Sequence, residues 1–240
     1  MLGPRSKGAG AMKVYIGYEP RENAAYEVAV KSLCHRATIP LSVTPLDSVR
    51  LARSGLLRRP TDTRHGIYDF ASNAPCATGF ALSRFLVPIL AQSGWALFTD
   101  CDMLFLDDVA KLLPIADKSK AVMVVQHAYT PSCAVKMDGV QQTFYARKNW
   151  SSVMLFNCDH PANMRLSLAD VQGRTGRELH QFYWLNDSEI GMLPARWNWL
   201  VGEQPKPEHP AIAHYTLGGP FLPEWQGAEH DELWLDEARR

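Results

Sequence analysis

Short, strongly apolar blocks alternate along the chain with polar stretches rich in Gly, Pro, Asp and Arg. The clearest blocks are 13–17 (KVYIG), 96–99 (ALFT), 121–125 (AVMVV) and 153–157 (VMLFN). Runs of this length bounded by turn residues predict strands buried on both faces, as in a parallel sheet. A further strand is expected from Ile39 to Leu46. Helical spacing is expected after Asn23, a candidate N-cap, through Ala25, Val28, Ala29, Leu33 and Cys34. Another helix is expected over Thr78–Leu90, kinked at Pro88. A third should run through Val109–Leu113, capped by Asp107 or Asp108, and a fourth over 176–190. Residues 50–76 predict a long loop-rich connection, and Leu193–Trp199 an aromatic edge segment. The whole predicts an α/β fold: a Rossmann-like, mixed, mostly parallel sheet with helices on both faces.

The most informative block is Gly94–Asp108, GWALFTDCDMLFLDD. An apolar strand ends there in Asp100-Cys101-Asp102. Ligands of open α/β sheets sit beyond the carboxyl ends of the strands. Two carboxylates one residue apart offer the oxygens that hard divalent cations require. The competing reading is that acids mark the point where a strand re-enters water. Arg84 could lean toward the same crevice or be a solvated face charge. His214, after the apolar run Ala211–Ala213, could be a ligand or a satisfied structural histidine. Trp95 reads as core. Trp150, Trp184, Trp197, Trp199 and Trp225 lie near polar residues and could form a wall that stacks on a sugar, or simply pack. The opening strand–loop–helix could receive phosphate at its helix N-terminus, although no Gly-rich fingerprint is present.

Composition narrows the setting. The chain has 240 residues, with 25 Lys+Arg balanced by 25 Asp+Glu. Residues 1–11 are expected to be a disordered leader and 12–240 one domain. Zero net charge gives no support for nucleic-acid binding. No apolar segment has membrane length, so no transmembrane segment is expected. The cysteines, at 34, 76, 101, 133 and 158, are odd in number and contain no C-x-x-C pair. That disfavours a disulfide framework or zinc knuckle and favours a reducing, cytoplasmic location.

Together these pieces resemble a GT-A-type, nucleotide-sugar-dependent glycosyltransferase. The nearest likeness is to the family-8 retaining enzymes, a group that includes glycogenin and the bacterial lipopolysaccharide galactosyltransferases. The resemblance covers most of 12–225. It implies that Gly17 and Glu19 meet the nucleobase and ribose, and that Arg84 reaches the nucleotide and sugar. Asp100 and Asp102 stand in the metal motif. His214, in the His214-Tyr215-Thr216 stretch with Gly218, completes the metal shell. Asp187-Ser188-Glu189 before Trp197-Asn198 resembles the family's acidic pair. Departures are Arg21 and Glu22 where the family has an aromatic, and Gly219-Pro220-Phe221 where it has a lysine. Ser188 replaces an amide side chain, and Trp150 and Ser152 replace an asparagine–glycine step. The implied activity is transfer of a hexose from a UDP-sugar, with retention, to a saccharide or glycoconjugate acceptor. The implied cofactor is Mn2+ (or Mg2+), since carboxylates plus one imidazole tilt the choice toward manganese. An oxocarbenium-like transition state needs a carboxylate or amide nearby; Asp187 and Glu189 are the catalytic candidates, with Gln126 and His127 behind them. An aspartate-nucleophile phosphatase and a non-catalytic sugar-nucleotide binding module remain as alternatives.

Overall fold

In the computed structural model, which describes residues 10–128 and 147–240, the apolar blocks are strands of one sheet. β1 (Met12–Tyr18) leads through a short 3-10 turn, Pro20–Glu22, into α1 (Asn23–Arg36). Asn23 is therefore the first helical residue rather than the cap. β2 (Leu41–Asp47) returns parallel to β1. Residues 1–9 of the expected leader lie outside the described residues, and Met12 already belongs to β1.

The stretch expected as loop is structured. It holds α2 (Ser48–Arg53) and a small antiparallel sheet of β3 (Thr61–Asp62), β4 (Ile67–Asp69) and β5 (Ala74–Cys76). Arg59 and Asp69 form a buried pair beneath it, with Arg59 Nε donating to Asp69 Oδ1 at 2.9 Å. Strands this short carry little periodicity, so no local pattern announces them. Residues 78–90 also differ from the expected kinked helix. Ser83–Leu86 is a 3-10 turn that runs into α3 (Val87–Ala91). Pro88 sits in the first turn of α3, where its missing N–H costs nothing.

β6 (Trp95–Thr99) is central. Its Ala96, Leu97 and Phe98 are fully buried. It pairs in parallel with β1 and antiparallel with a later strand, described below. After Asp102 the chain makes β7 (Met103–Phe105), and Asp108 caps the 3-10 turn Val109–Ile115. β8 (Val122–Val124) and β9 (Val153–Asn157) follow, with β9 antiparallel to both β6 and β8. α4 (Leu168–Gly173) and α5 (Gly176–His180) carry capping boxes from Ser167 and Thr175. The helix expected over 176–190 thus stops at His180, and 187–189 is a 3-10 turn before β10 (Ile190–Met192). β10 pairs in parallel with β8, giving the order β10-β8-β9-β6-β1-β2. This is the expected mixed, mostly parallel sheet, with residues 13–17, 96–99, 122–124 and 153–157 in it.

A second layer of strands joins distant parts of the chain. β11 (Trp199–Leu200) and β12 (Ile212–His214) pair in parallel, and β12 lies antiparallel to β7. α6 (Asp231–Arg239) closes this side, its Trp234 packed with Val28, Leu104, Trp199 and Tyr215. Trp184, Trp197 and Trp199 are core residues, at 4%, 1% and 1% exposure, so they cannot present a face to a sugar. Cys34, Cys76, Cys101 and Cys158 are free thiols. Among the described residues, no helix is long and apolar enough to cross a membrane.

Candidate active site

The backbone makes the site. β6 ends at Thr99, and Asp100 N–H donates to Ser152 O at 3.1 Å. β7 begins at Met103, opposite His214 in antiparallel register. Asp102 O accepts the N–H of Tyr215 at 3.0 Å. This pairing carries His214 across to the end of β6, with Nε2 3.3 Å from Asp102 Oδ2. Ligand atoms of Asp100, Asp102 and His214 all lie within 4.8 Å of one another. His214 is buried, as a satisfied structural histidine would be, yet its Nε2 faces the two carboxylates.

Arg84 is not a solvated face charge. It is buried, its Nη1 2.9 Å from Asp100 Oδ1 and also donating to Ser151 O at 2.9 Å. Its guanidinium lies over Phe80 and Phe98, at 5.4 and 5.1 Å from the ring centroids, an arrangement suited to a weakly hydrated planar cation. Gly17, near the end of β1, lies against Phe80. A Cβ there would come within 2.4 Å of the Phe80 ring. Gly17→Ala is expected to displace Phe80, and with it Arg84, at a cost of about 1–3 kcal/mol; urea unfolding and nucleotide titration would read both effects. Glu19 is buried, and its Oε2 accepts Gly79 N–H at 2.9 Å. The carboxylate therefore anchors the turn leading to Phe80. Gly218 has φ +134° and abuts Trp225, in the turn that follows β12.

Two buried groups at the site were not among its candidate residues. Glu22, at the entrance to α1, accepts the Cys101 thiol at 3.0 Å. Burial, and then the neighbouring charge of Asp102, push its carboxyl up to about 7. With Glu19, Glu22, Asp100 and Asp102 gathered at one edge, negative charge accumulates there faster than Arg84 offsets it. An acid at the N-cap of α1, three residues after Glu19, was the available signal for Glu22. Asn198 is the other group. It is fully buried, with Oδ1 3.0 Å from His214 Nδ1. His127, at the same edge beyond β8, is held neutral: burial and the nearby His214 push it down to about 4. Trp150 donates its Nε1–H to His127 O at 3.2 Å.

Asp187 and Glu189 are not brought to this cluster. They precede β10, and Ile190 pairs with Val122 at the start of β8. Val122 faces Phe156 and Trp95 faces Asn157, so this is the amino edge of β6, opposite the one bearing Asp100. The Asp187 side chain is 91% exposed and paired with Arg147. Glu189 accepts Asn186 N–H at 2.8 Å and pairs with Arg165, bonds that lower its carboxyl.

The donor set fits a divalent cation: two carboxylates and an imidazole converge, and a cation held there would offset the charge of Asp102 that, after burial, raises Glu22.

No family model matches the chain. Protein CDI of Arabidopsis thaliana is 43% identical over 231 residues, covering 94% of this chain and 85% of that protein. Among solved structures, the apo form of the bifunctional glycosyltransferase WbbM superposes with a TM-score of 0.62 at 13% identity, over 99% of this chain and 50% of that one. The glycosyltransferase GlyE of Streptococcus pneumoniae gives 0.58 at 13% identity, over 96% of this chain and 61% of that one. The galactosyltransferase LgtC, solved with donor and acceptor sugar analogs, gives 0.55 at 14% identity, over 95% of each chain. The chain thus spans about half of WbbM and less than two thirds of GlyE. The architecture is the GT-A glycosyltransferase fold.

Proposed function

Since the chain belongs to the same family as Protein CDI of Arabidopsis thaliana and has the GT-A fold, we propose that it is a metal-dependent glycosyltransferase. In this reading it moves a hexose from a UDP-sugar to a saccharide or glycoconjugate acceptor, with retention, in the cytoplasm. The observation that carries the reading is the convergence of Asp100, Asp102 and His214 at the carboxyl edge of β6. These three residues would hold Mn2+, or Mg2+, in a ligand set that favours manganese. When bound, such a cation supplies Lewis-acid neutralisation of a leaving diphosphate. Arg84 adds a fixed guanidinium beside Asp100, and its burial strengthens its pull on a nearby anion. Gly17 and Glu19 border the nucleoside end, and Gly218 turns the backbone after His214. The candidates for the group near the anomeric carbon are Asp187 and Glu189, with Gln126 and the neutral His127, at the carboxyl edge of the sheet, behind them.

The test is thermal stabilisation by UDP, GDP and CDP, each with Mn2+, followed by UDP-hexoses. At 100 times Kd a ligand stabilises by about 2.7 kcal/mol, or a Tm rise of roughly 5–10 °C for a chain of this size. UDP with Mn2+ is expected to give that rise and UDP alone much less. A larger rise with GDP overturns the nucleobase assignment, and no rise with any of the three overturns the reading. One second reading is a non-catalytic nucleotide-sugar binding module, since neither Asp187 nor Glu189 belongs to the cluster of Asp100, Asp102 and His214. Binding without turnover of the donor, even by slow hydrolysis, would establish it.

A further inference from the structure

The hydrogen bonds behind His214 run in one direction only, and a backbone carbonyl sets it. The Ser152 hydroxyl donates to Asn149 O at 2.7 Å. A carbonyl can only accept, so the single hydroxyl proton of Ser152 is spent there. Ser152 Oγ must then accept from its other neighbour, Asn198 Nδ2, at 2.9 Å. Asn198 Nδ2 also lies 3.3 Å from Asn149 O, a second acceptor on the same side. The amide is therefore oriented with nitrogen toward the 149–152 turn and oxygen toward His214. Asn198 Oδ1, 3.0 Å from His214 Nδ1, can only accept. Nδ1 must carry the proton, and Nε2 is the atom presented to Asp102.

We infer that Asn198, locked by Ser152 and Asn149, is the positioning residue that fixes the tautomer and ring orientation of His214. The local fold explains why it can. Asn198 ends the 3-10 turn Ala195–Asn198, and the next strand, β11, pairs Leu200 with His214. Asn198 is thereby held beside the β12 histidine with no exposure to water that could compete for its amide. The 149–152 turn serves both halves of the site: Ser152 orients Asn198, while Ser151 O receives Arg84. Asn149 adopts φ +61°, in the left-handed region that asparagine tolerates better than most residues. The Ser152 position, where this chain departs from the resembled family, is thus part of the support for His214. An imidazole whose far nitrogen is held by a fixed acceptor is a better-oriented and more basic ligand.

The tautomer itself does not depend on the metal reading, whereas its effect on affinity does. Long-range 1H–15N correlation on 15N-histidine protein, with His214 assigned by its loss in His214→Gln, reads Nδ1 directly. In the neutral imidazole Nδ1 is expected to carry the proton, without metal and with Mg2+. Asn198→Ala is expected to release this lock and to lower Mn2+ affinity, measured by electron paramagnetic resonance, by about 10–100-fold. Asn198→Asp keeps an acceptor for Nδ1–H and is expected to restore both the Nδ1 signal and most of the affinity. A purely structural role would give no such rescue. If Asn198→Ala does not fold, Ser152→Ala takes its place and should give a mixture of tautomers, since only the longer bond to Asn149 O then orients the amide. An unprotonated Nδ1 in the wild type, or unchanged Mn2+ affinity in Asn198→Ala, overturns the inference. A protonated Nδ1 in a wild type that binds no Mn2+ upholds it and sinks the metal reading alone.

Discussion

Asp102→Asn is expected to abolish metal-dependent nucleotide binding and sugar transfer while leaving the fold intact. Asp102 is where the two halves of the site meet. Its backbone oxygen receives Tyr215 N–H, and its side chain faces His214 at 3.3 Å. The amide keeps the size and the backbone bond but removes the charge a cation needs. Charge stabilisation at such a site amounts to several kcal/mol, so transfer should fall by about 10³-fold or more. The apo variant should be as stable as the wild type or slightly more so. Burial and the charge of Asp102 are the two leading causes holding the Glu22 carboxyl near 7, and losing that charge relieves the repulsion. Circular dichroism, Tm with and without Mn2+, and a transfer assay together test this. A variant that still gains stability from Mn2+ and nucleotide would remove Asp102 from the metal shell. His214→Ala should weaken cation and nucleotide binding together, because each is held through the other.

Asp69→Ala should be the most damaging change outside the site, at about 3–5 kcal/mol, or a Tm loss on the order of 10 °C for a chain of this size. It would leave the Arg59 guanidinium buried without its carboxylate partner. Arg59 also donates to Val171 O at 2.7 Å, so the pair ties the β3–β5 sheet to α4. Burial pushes the Asp69 carboxyl up, but hydrogen bonds from Arg59 and Ser72 outweigh it and hold the group below its usual range. A depressed folded value means the unfolded chain binds the proton more readily. The contribution is therefore fully present above the ordinary carboxylate value of about 4 and is lost as pH falls through the folded value. Urea unfolding at pH 7 and pH 3 should show the gap between wild type and Asp69→Ala narrowing in acid. A gap that stays constant would mean that packing, not charge, accounts for it.

Much of the molecule was legible along the chain, for reasons that can be named. The runs 96–99, 122–124 and 153–157 lie in strands of one sheet, as short continuous apolar segments bounded by turn residues and too short for a helix suit a sheet covered on both faces. Asp108 caps its turn and Gly218 turns the backbone because those conformations suit few residue types. The stretch 50–76 was not legible, since its strands of two or three residues are too short to show a period. Trp197 and Trp199 were equally ambiguous: an amphipathic ring beside Asn198 can line a surface or fill a core, and only the pairing of β11 with β12 buries them.

For the site, the sequence by itself determined that two carboxylates stand at the end of a buried strand. The apolar run must be covered, and a charged pair cannot be covered with it. What joins those carboxylates was decided only in three dimensions. The antiparallel register of β7 with β12 sets Met103 opposite His214 and so brings the imidazole to Asp102. The entry of α1 puts Glu22 under Cys101. The parallel pairing of β10 with β8 sets the start of β10 at the amino edge, where Glu189 meets Arg165, while Asp187 reaches Arg147, whose guanidinium lies over Trp150. Strand direction and register arise from pairings between segments far apart in the chain, and no local pattern of residues encodes them.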